Sequence, residues 1–130
     1  MSETKPTPHP DTVSQPYWDA AATGTLKLQR CSNCGAIRHY PQLVCATCYS
    51  LEVEWIQATG NGTIHSWTVA HHPFHPAFKA ELPYTLVLVD LEEGPRAMAR
   101  LDPATTTKLR LGLRVRLTFG DDHLPIATPA

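Results

Sequence analysis

No stretch of this chain approaches the ~18 consecutive apolar residues of a membrane-spanning helix, so no membrane partner is expected. An excess of one charge is also missing. Eleven basic residues stand against twelve acidic ones, a formal net charge of −1, which leaves no global basic field to hold nucleic acid. Aromatic residues are few, with three Phe and three Trp, and this weighs further against a base-stacking surface. There is no GxGxxG, P-loop or GxSxG pattern, so neither a phosphate cradle nor a nucleophile elbow is expected. Met1 to Asp19 carries prolines and polar residues but no apolar run of the secretory kind, which points to a reducing, cytoplasmic setting.

Cysteine is scarce too, but its placement is specific. All four cysteines fall in two CxxC pairs, Cys31-Ser-Asn-Cys34 and Cys45-Ala-Thr-Cys48, with ten residues between the pairs. A two-residue gap lets both thiolates of a tight turn face one cation, and two such turns complete a tetrahedral site. Gly35, directly after the second cysteine, can take a positive φ and let backbone N–H groups approach the sulfurs. Two disulfides would suit a secreted chain, and a thioredoxin-like redox site needs one CxxC beside a βαβ pattern that is not found. A rubredoxin-type iron site uses the same four ligands; zinc is the expected metal. Four protein thiolates leave no position for water, so the metal is expected to be structural.

With 42% hydrophobic residues, the 130-residue chain can build one core and a small satellite module. The reading in order is a flexible arm and short helix over 1–25, a zinc ribbon over 26–53, a barrel over 54–122 and a tail over 123–130. Residues 1–14, with Pro6, Pro8 and Pro10, read as mobile. Ser14 to Thr23 reads as a helix capped by Ser14, with Pro16 in its first turn and Gly24 as its stop. Tyr17, Trp18 and Ala21 would share one face. So short a helix is unstable alone, and its aromatic face must dock either on the chain itself or on a partner subunit. Tyr17 and Trp18 are therefore candidate partner-binding residues.

Thr25 to Arg30 alternates as a strand entering the first CxxC turn, and Ile37 to Tyr40 reads as a second strand ended by Pro41. Beyond Glu54, strand-like runs fall at Trp55 to Ala58, Thr63 to Ala70, Tyr84 to Leu91, Arg96 to Leu101 and Leu109 to Phe119, the last turned at Gly112. About five short strands with Gly-rich turns argue for a small closed β-barrel, since closure removes exposed edges. Periodicity alone leaves an OB-fold level with an SH3-like barrel. If the last run stays extended, Lys108, Arg110, Arg114 and Arg116 form one basic face opposite an apolar one.

The ordered set of motifs resembles the zinc-ribbon/OB-fold accessory proteins associated with thiolase-like acyl-CoA enzymes. It comprises Tyr17-Trp18 with Gly24, Leu28-Gln29-Arg30-Cys31, Cys34-Gly35, Pro41, Cys45 and Cys48, Gly60-Asn-Gly62 through Val69, Pro83-Tyr84 with Val87 to Leu91, and Gly112 with Val115. The resemblance covers about Gln15 to Phe119. The second cysteine turn usually reads CPxCG in such proteins; here Ala46 and Tyr49 replace the proline and the glycine. The resemblance implies a mainly β fold with a short N-terminal helix, a rubredoxin-like four-cysteine ribbon and a C-terminal five-stranded OB-fold barrel. It implies one structural zinc on Cys31, Cys34, Cys45 and Cys48. It also implies a thiolase-fold catalytic subunit as partner, with acyl-CoA met indirectly and no catalytic residue supplied by this chain.

Other candidates for chemistry are weaker. His65, His71, His72 and His75 invite a second metal site, but Pro73 interrupts any helix between His72 and His75, and a solvated or partner-facing loop is the better reading. Asp90, Glu92 and Glu93 beside a turn read as solvated hairpin charges. The main rival function is single-stranded nucleic-acid binding, with Lys108, Arg110, Arg114 and Arg116 beside Trp67 and Phe119. Arg114 and Arg116 are equally candidates to contact a CoA phosphate, for which a guanidinium is well suited.

Overall fold

A computed structural model describes residues 4–130, the side chains of Thr106 and Thr107 excepted. The sequence reading of residues 1–3 as mobile lies outside the described residues. One helix, α1 (Gln15–Ala21), precedes eight strands: β1 (Lys27–Cys31), β2 (Ile37–Arg38), β3 (Val53–Gln57), β4 (Asn61–Ala70), β5 (Tyr84–Leu91), β6 (Arg96–Leu101), β7 (Arg114–Phe119) and β8 (Pro125–Pro129). Short 3-10 turns span Pro76–Glu81 and Pro103–Lys108.

Pro16 lies in the first turn of α1, where its missing N–H is not needed, and Gly24, at φ +79°, follows the last turn. Ser14 does not cap α1 with its side chain. Its hydroxyl instead accepts from the Asp11 N–H at 3.1 Å, while its own N–H donates to Asp11 Oδ1 at 2.7 Å. The hydroxyl is thus spent one turn upstream. Tyr17, Ala20 and Ala21 form the buried face, and Trp18 sits at its margin.

The ribbon sheet has the order β2-β1-β3, all antiparallel. β3 therefore belongs with β1, although the sequence reading began the barrel at 54. Leu26 and Leu28 point into the core as the alternation requires. Gln29 is buried as well, at 2% exposure, because its Oε1 accepts from Arg38 Nε at 2.7 Å and the Gln42 N–H at 2.8 Å. A buried amide is tolerable only when so satisfied.

The barrel closes in the order β4-β5-β6-β8-β7. All its pairs are antiparallel except β6 with β8, which run parallel. That single parallel closure distinguishes an OB-fold from an SH3-like barrel. The segment read from sequence as a loose tail is a barrel strand. β8 pairs with β7 from Val115↔Pro129 to Phe119↔Pro125 and reaches β6 at Arg100↔Ile126. Its prolines made it look like coil, yet they fall at the strand's two ends, where few ladder bonds are forgone. The extended run expected from Leu109 also shortens, because the backbone turns at Gly112 and β7 begins at Arg114. In β4 a bulge between Ile64 and Ser66 breaks the strict alternation and bends the strand around the barrel.

The inner residues of β5, β6, β7 and β8 fill the core, with Val87, Val89, Val115 and Ala127 at most 1% exposed. Burying each Val or Leu side chain contributes roughly 1.5–3 kcal/mol. Gly62 lies against β5 so closely that a Cβ there would meet Asp90 O at 2.5 Å and Val89 Cγ1 at 2.6 Å. Tyr17 joins the parts: its ring packs edge-on against Phe119 of β7 at 6.3 Å and lies tilted against His39 of the ribbon at 5.3 Å.

Candidate metal centre and barrel-face groove

The four cysteine sulfurs converge. All lie within 4.8 Å of one another, with Cys31 to Cys48 at 3.6 Å and Cys34 to Cys45 at 3.7 Å. A tetrahedral zinc with Zn–S bonds of about 2.3 Å would set its sulfurs about 3.8 Å apart, so the cluster has the right size for one ion. The two turns repeat one geometry. Gly35 N–H donates to Cys31 O at 2.9 Å, and Tyr49 N–H donates to Cys45 O at 2.9 Å. Gly35 has φ +79° and Tyr49 has φ +64°. The residue after each second cysteine must therefore be left-handed, and Tyr49 takes that conformation despite its Cβ.

The electrostatics fit a cation as well. Backbone N–H groups of Cys48 and Thr47 aimed at the Cys45 sulfur, aided by the Cys34 thiol, bring its pKa down to about 6. At Cys34 the Ala36 N–H favours the thiolate, but burial and the three other sulfurs outweigh it and push the thiol up to about 11. Four thiolates this close repel one another unless a positive ion sits among them. The Asn33 amide adds a donor to Cys48 Sγ at 3.4 Å. Among the described residues no other group of three or more Cys, His, Asp or Glu side chains converges in this way.

The histidines expected as weaker candidates are dispersed. His65 Nδ1 meets Asp90 Oδ2 at 3.1 Å, and Arg96 Nε meets the other oxygen of that carboxylate at 2.7 Å. His72 stacks edge-on with Phe74, while His75 accepts from the Ala77 N–H at 3.1 Å. The basic face expected from Lys108 to Arg116 does not form as one surface, because Lys108 ends a 3-10 turn and Arg110 precedes the turn at Gly112. Arg114 and Arg116 do share the outer face of β7, exposed, and neither makes an ion pair among the described residues. Phe119 is turned inward onto Tyr17, so it offers no platform for a base. Tyr17 is 5% exposed inside the chain's own core, and Trp18 alone of the pair stays accessible.

One feature was not read from the sequence. A groove of about 920 Å³ runs over the outer face of β5 and β6. Tyr84, Leu86 and Met98 of the two strands line it, together with Trp18, Tyr40, Phe78 and Leu124. The Tyr40 hydroxyl accepts from the Met98 N–H at 2.8 Å, which fastens the ribbon to the edge of β6. Six separate segments supply the lining, so no local motif could have announced it.

Residues 18–54 match the rubredoxin-like zinc ribbon domain of ChsH2, and residues 55–120 match its C-terminal OB-fold domain. The chain belongs to the ChsH2 family. A chain of the solved Ltp2-ChsH2(DUF35) aldolase is 35% identical, superposes with a TM-score of 0.83, and is covered over 98% of its length by 94% of this chain. A DUF35-family protein of unknown function from Sulfolobus solfataricus superposes at 0.67 with 11% identity, a likeness of fold alone. Among curated relatives, the probable enoyl-CoA hydratase alpha subunit of Thermomonospora curvata is 37% identical over 88% of this chain and 36% of its own length. The 3-oxo-4,17-pregnadiene-20-carboxyl-CoA hydratase alpha subunit of Mycobacterium tuberculosis is 31% identical over 81% of this chain and 33% of its own. The chain thus spans about a third of the length of these two relatives. Membership of the ChsH2 family, the ribbon with its clustered cysteines and the five-stranded OB barrel agree with the expectations from sequence.

Proposed function

We propose that this chain is an accessory subunit of a thiolase-like acyl-CoA enzyme, an aldolase, thiolase or acyltransferase of steroid side-chain degradation. It stabilises the catalytic subunit and helps guide the CoA ester. The observation that carries this reading is the likeness to a chain of the Ltp2-ChsH2(DUF35) aldolase over nearly the whole of both chains. Relatives named as alpha subunits of acyl-CoA hydratases support it from a second direction.

In this reading Cys31, Cys34, Cys45 and Cys48 hold one zinc ion. When bound, the ion cross-links the two cysteine turns and supplies much of the ribbon's folding free energy, on the order of 10–16 kcal/mol in isolated finger peptides. The ribbon then presents Tyr40 and the α1 margin as a rigid surface. Trp18 is the aromatic anchor toward the catalytic subunit, and Tyr17 acts behind it by fixing α1. We assign Arg114 and Arg116 to a CoA phosphate; their exposure side by side on β7 supports this. Among the described residues no helix is long and apolar enough to cross a membrane. Thiols kept for a metal suit the cytoplasm, where we place the complex.

The test is affinity purification from the native host with the zinc-loaded chain as bait. A thiolase-fold protein should be retained in stoichiometric amount, and acyl-CoA turnover by the reassembled complex should fall when Arg114 and Arg116 are both changed to Glu. Retention of no thiolase-fold protein, with binding of single-stranded oligonucleotides at moderate salt instead, would overturn the reading.

A further inference from the structure

The groove over β5 and β6 lies where OB-folds bind their ligands, on the face of the second and third barrel strands between two flanking loops. One of those loops, between β4 and β5, carries Phe78 and Glu81. The other, between β7 and β8, carries Asp121, Asp122 and Leu124. The lining charges are unusual for that position. Glu81, Asp121 and Asp122 face the groove, and among the described residues Arg100 is the one lining cation besides Lys5 of the arm. Arg100 Nη1 already donates to Glu81 Oε1 at 2.7 Å, and the guanidinium carbon Cζ stands 4.4 Å from the Tyr84 ring centre. Such a surface repels a phosphate backbone and favours an apolar ligand that bears positive charge.

The chain itself supplies an example of that chemistry. The arm read from sequence as mobile is seated across one end of the groove. Lys5 Nζ meets Glu81 Oε2 at 2.6 Å and stands 5.5 Å from the centre of the Phe78 ring. Pro6, Thr7, Pro8 and Pro10 then wall a second space of about 380 Å³ against Trp18, Phe78 and Leu124. Lys5, Thr7 and His9 each precede a proline, which holds them extended, and the prolines fix their own φ. An extended, proline-spaced segment over an aromatic-lined groove is a known mode of peptide recognition, because little chain entropy remains to be lost. Lys5 and Arg100 together keep the Glu81 carboxyl below its usual range, Lys5 having the larger effect.

We propose that this groove is a binding site for an extended, proline-containing segment of a partner protein with a basic residue at one end, and that residues 5–10 occupy part of it in cis as a competing strap. The arm is held lightly. Lys5 keeps 46% of its side-chain exposure, and all but Pro8 of the six strap residues are exposed. The 920 Å³ beyond Lys5 gives a longer segment more contact than the arm makes. A partner segment can therefore displace the strap by offering the same lysine-to-Glu81 contact together with a longer apolar run.

The experiment uses the full zinc-loaded chain and a dye-labelled synthetic peptide with the sequence of residues 4–13, followed by fluorescence anisotropy. In Lys5→Glu the strap's own clasp faces three carboxylates and releases, and the peptide should bind about fivefold more tightly than to the unaltered chain, the upper end for an exposed ion pair. Adding Glu81→Gln to that variant should remove most of the gain. A peptide carrying Glu in place of its lysine should bind neither protein. The proposal is overturned if Lys5→Glu binds the peptide no better than the unaltered chain does. It is equally overturned if neither binds it, or if a single-stranded oligonucleotide or a long-chain acyl-CoA displaces the strap while the peptide does not.

Discussion

Replacing Tyr17 tests how the three parts of the molecule are held together. Its ring is 5% exposed and sits 5.0 Å from Trp18, 5.3 Å from His39 and 6.3 Å from Phe119. It thus bridges helix, ribbon and barrel at once. Truncating a buried aromatic to Ala typically costs about 3–5 kcal/mol, from lost burial and the cavity left behind. Tyr17→Ala should therefore lower unfolding free energy by about 3–4 kcal/mol, read from urea titration of the zinc-loaded protein. The loss should include the helical part of the far-UV spectrum, because seven residues do not hold a helix without docking. Tyr17→Phe separates packing from hydrogen bonding. The hydroxyl has no hydrogen-bond partner among the described residues, and burial, followed by the neighbouring Tyr40, pushes its pKa up to about 12. The Phe variant should match the parent within about 0.5 kcal/mol, since no paired hydrogen bond is lost. If Ala costs less than about 1 kcal/mol, or if Phe is as damaging as Ala, the keystone role of this ring is wrong.

Three further outcomes are expected. Burial of His39 between Tyr17 and Tyr40 lowers its pKa to about 4 from an ordinary 6.5. The fold therefore favours the neutral ring; its contribution is complete above pH 6.5 and declines as pH falls toward 4, by up to about 3 kcal/mol. His39→Phe should flatten that part of the stability profile between pH 7 and 4, and an unchanged slope would refute it. Tyr49 is 78% exposed and left-handed, so Tyr49→Gly forfeits little packing and should raise stability by about 0.5–1 kcal/mol, measured by urea midpoint; a loss would refute the strain. Metal analysis should give about one zinc per chain, and chelation or Cys34→Ser should abolish amide protection in β1 to β3 while the barrel strands stay protected; full protection without metal would refute the site.

How far the sequence reached depended on the range of the forces involved. The cysteine turns were legible because their chemistry is local: ligand spacing and the turn after each pair decide whether sulfurs can converge. β5 and β6 were legible because their apolar pattern states which face is buried. β8 was not, because its prolines resemble coil until β6 and β7 stand beside it and satisfy the strand between them. Gln29 alternated as a surface residue and proved buried, since only the fold brings Arg38 and Gln42 to its amide oxygen. The basic parity from Lys108 to Arg116 failed for a similar reason. Parity assumes one continuous strand, and the turn at Gly112 interrupts it.

The amino-acid sequence by itself determined a four-thiolate ribbon, a helix too short to stand alone, and a set of strands that had to close on one another. Each of these follows from spacing within a few residues. The tertiary structure alone decided that Tyr17 turns inward while Trp18 faces out, that the barrel closes through a parallel β6–β8 pair, and that Lys5, Trp18, Tyr40, Glu81, Arg100 and Leu124 border one groove. The physical reason is that docking and closure balance burial against alternatives over the whole chain, and no local pattern records which distant surface will complete a site.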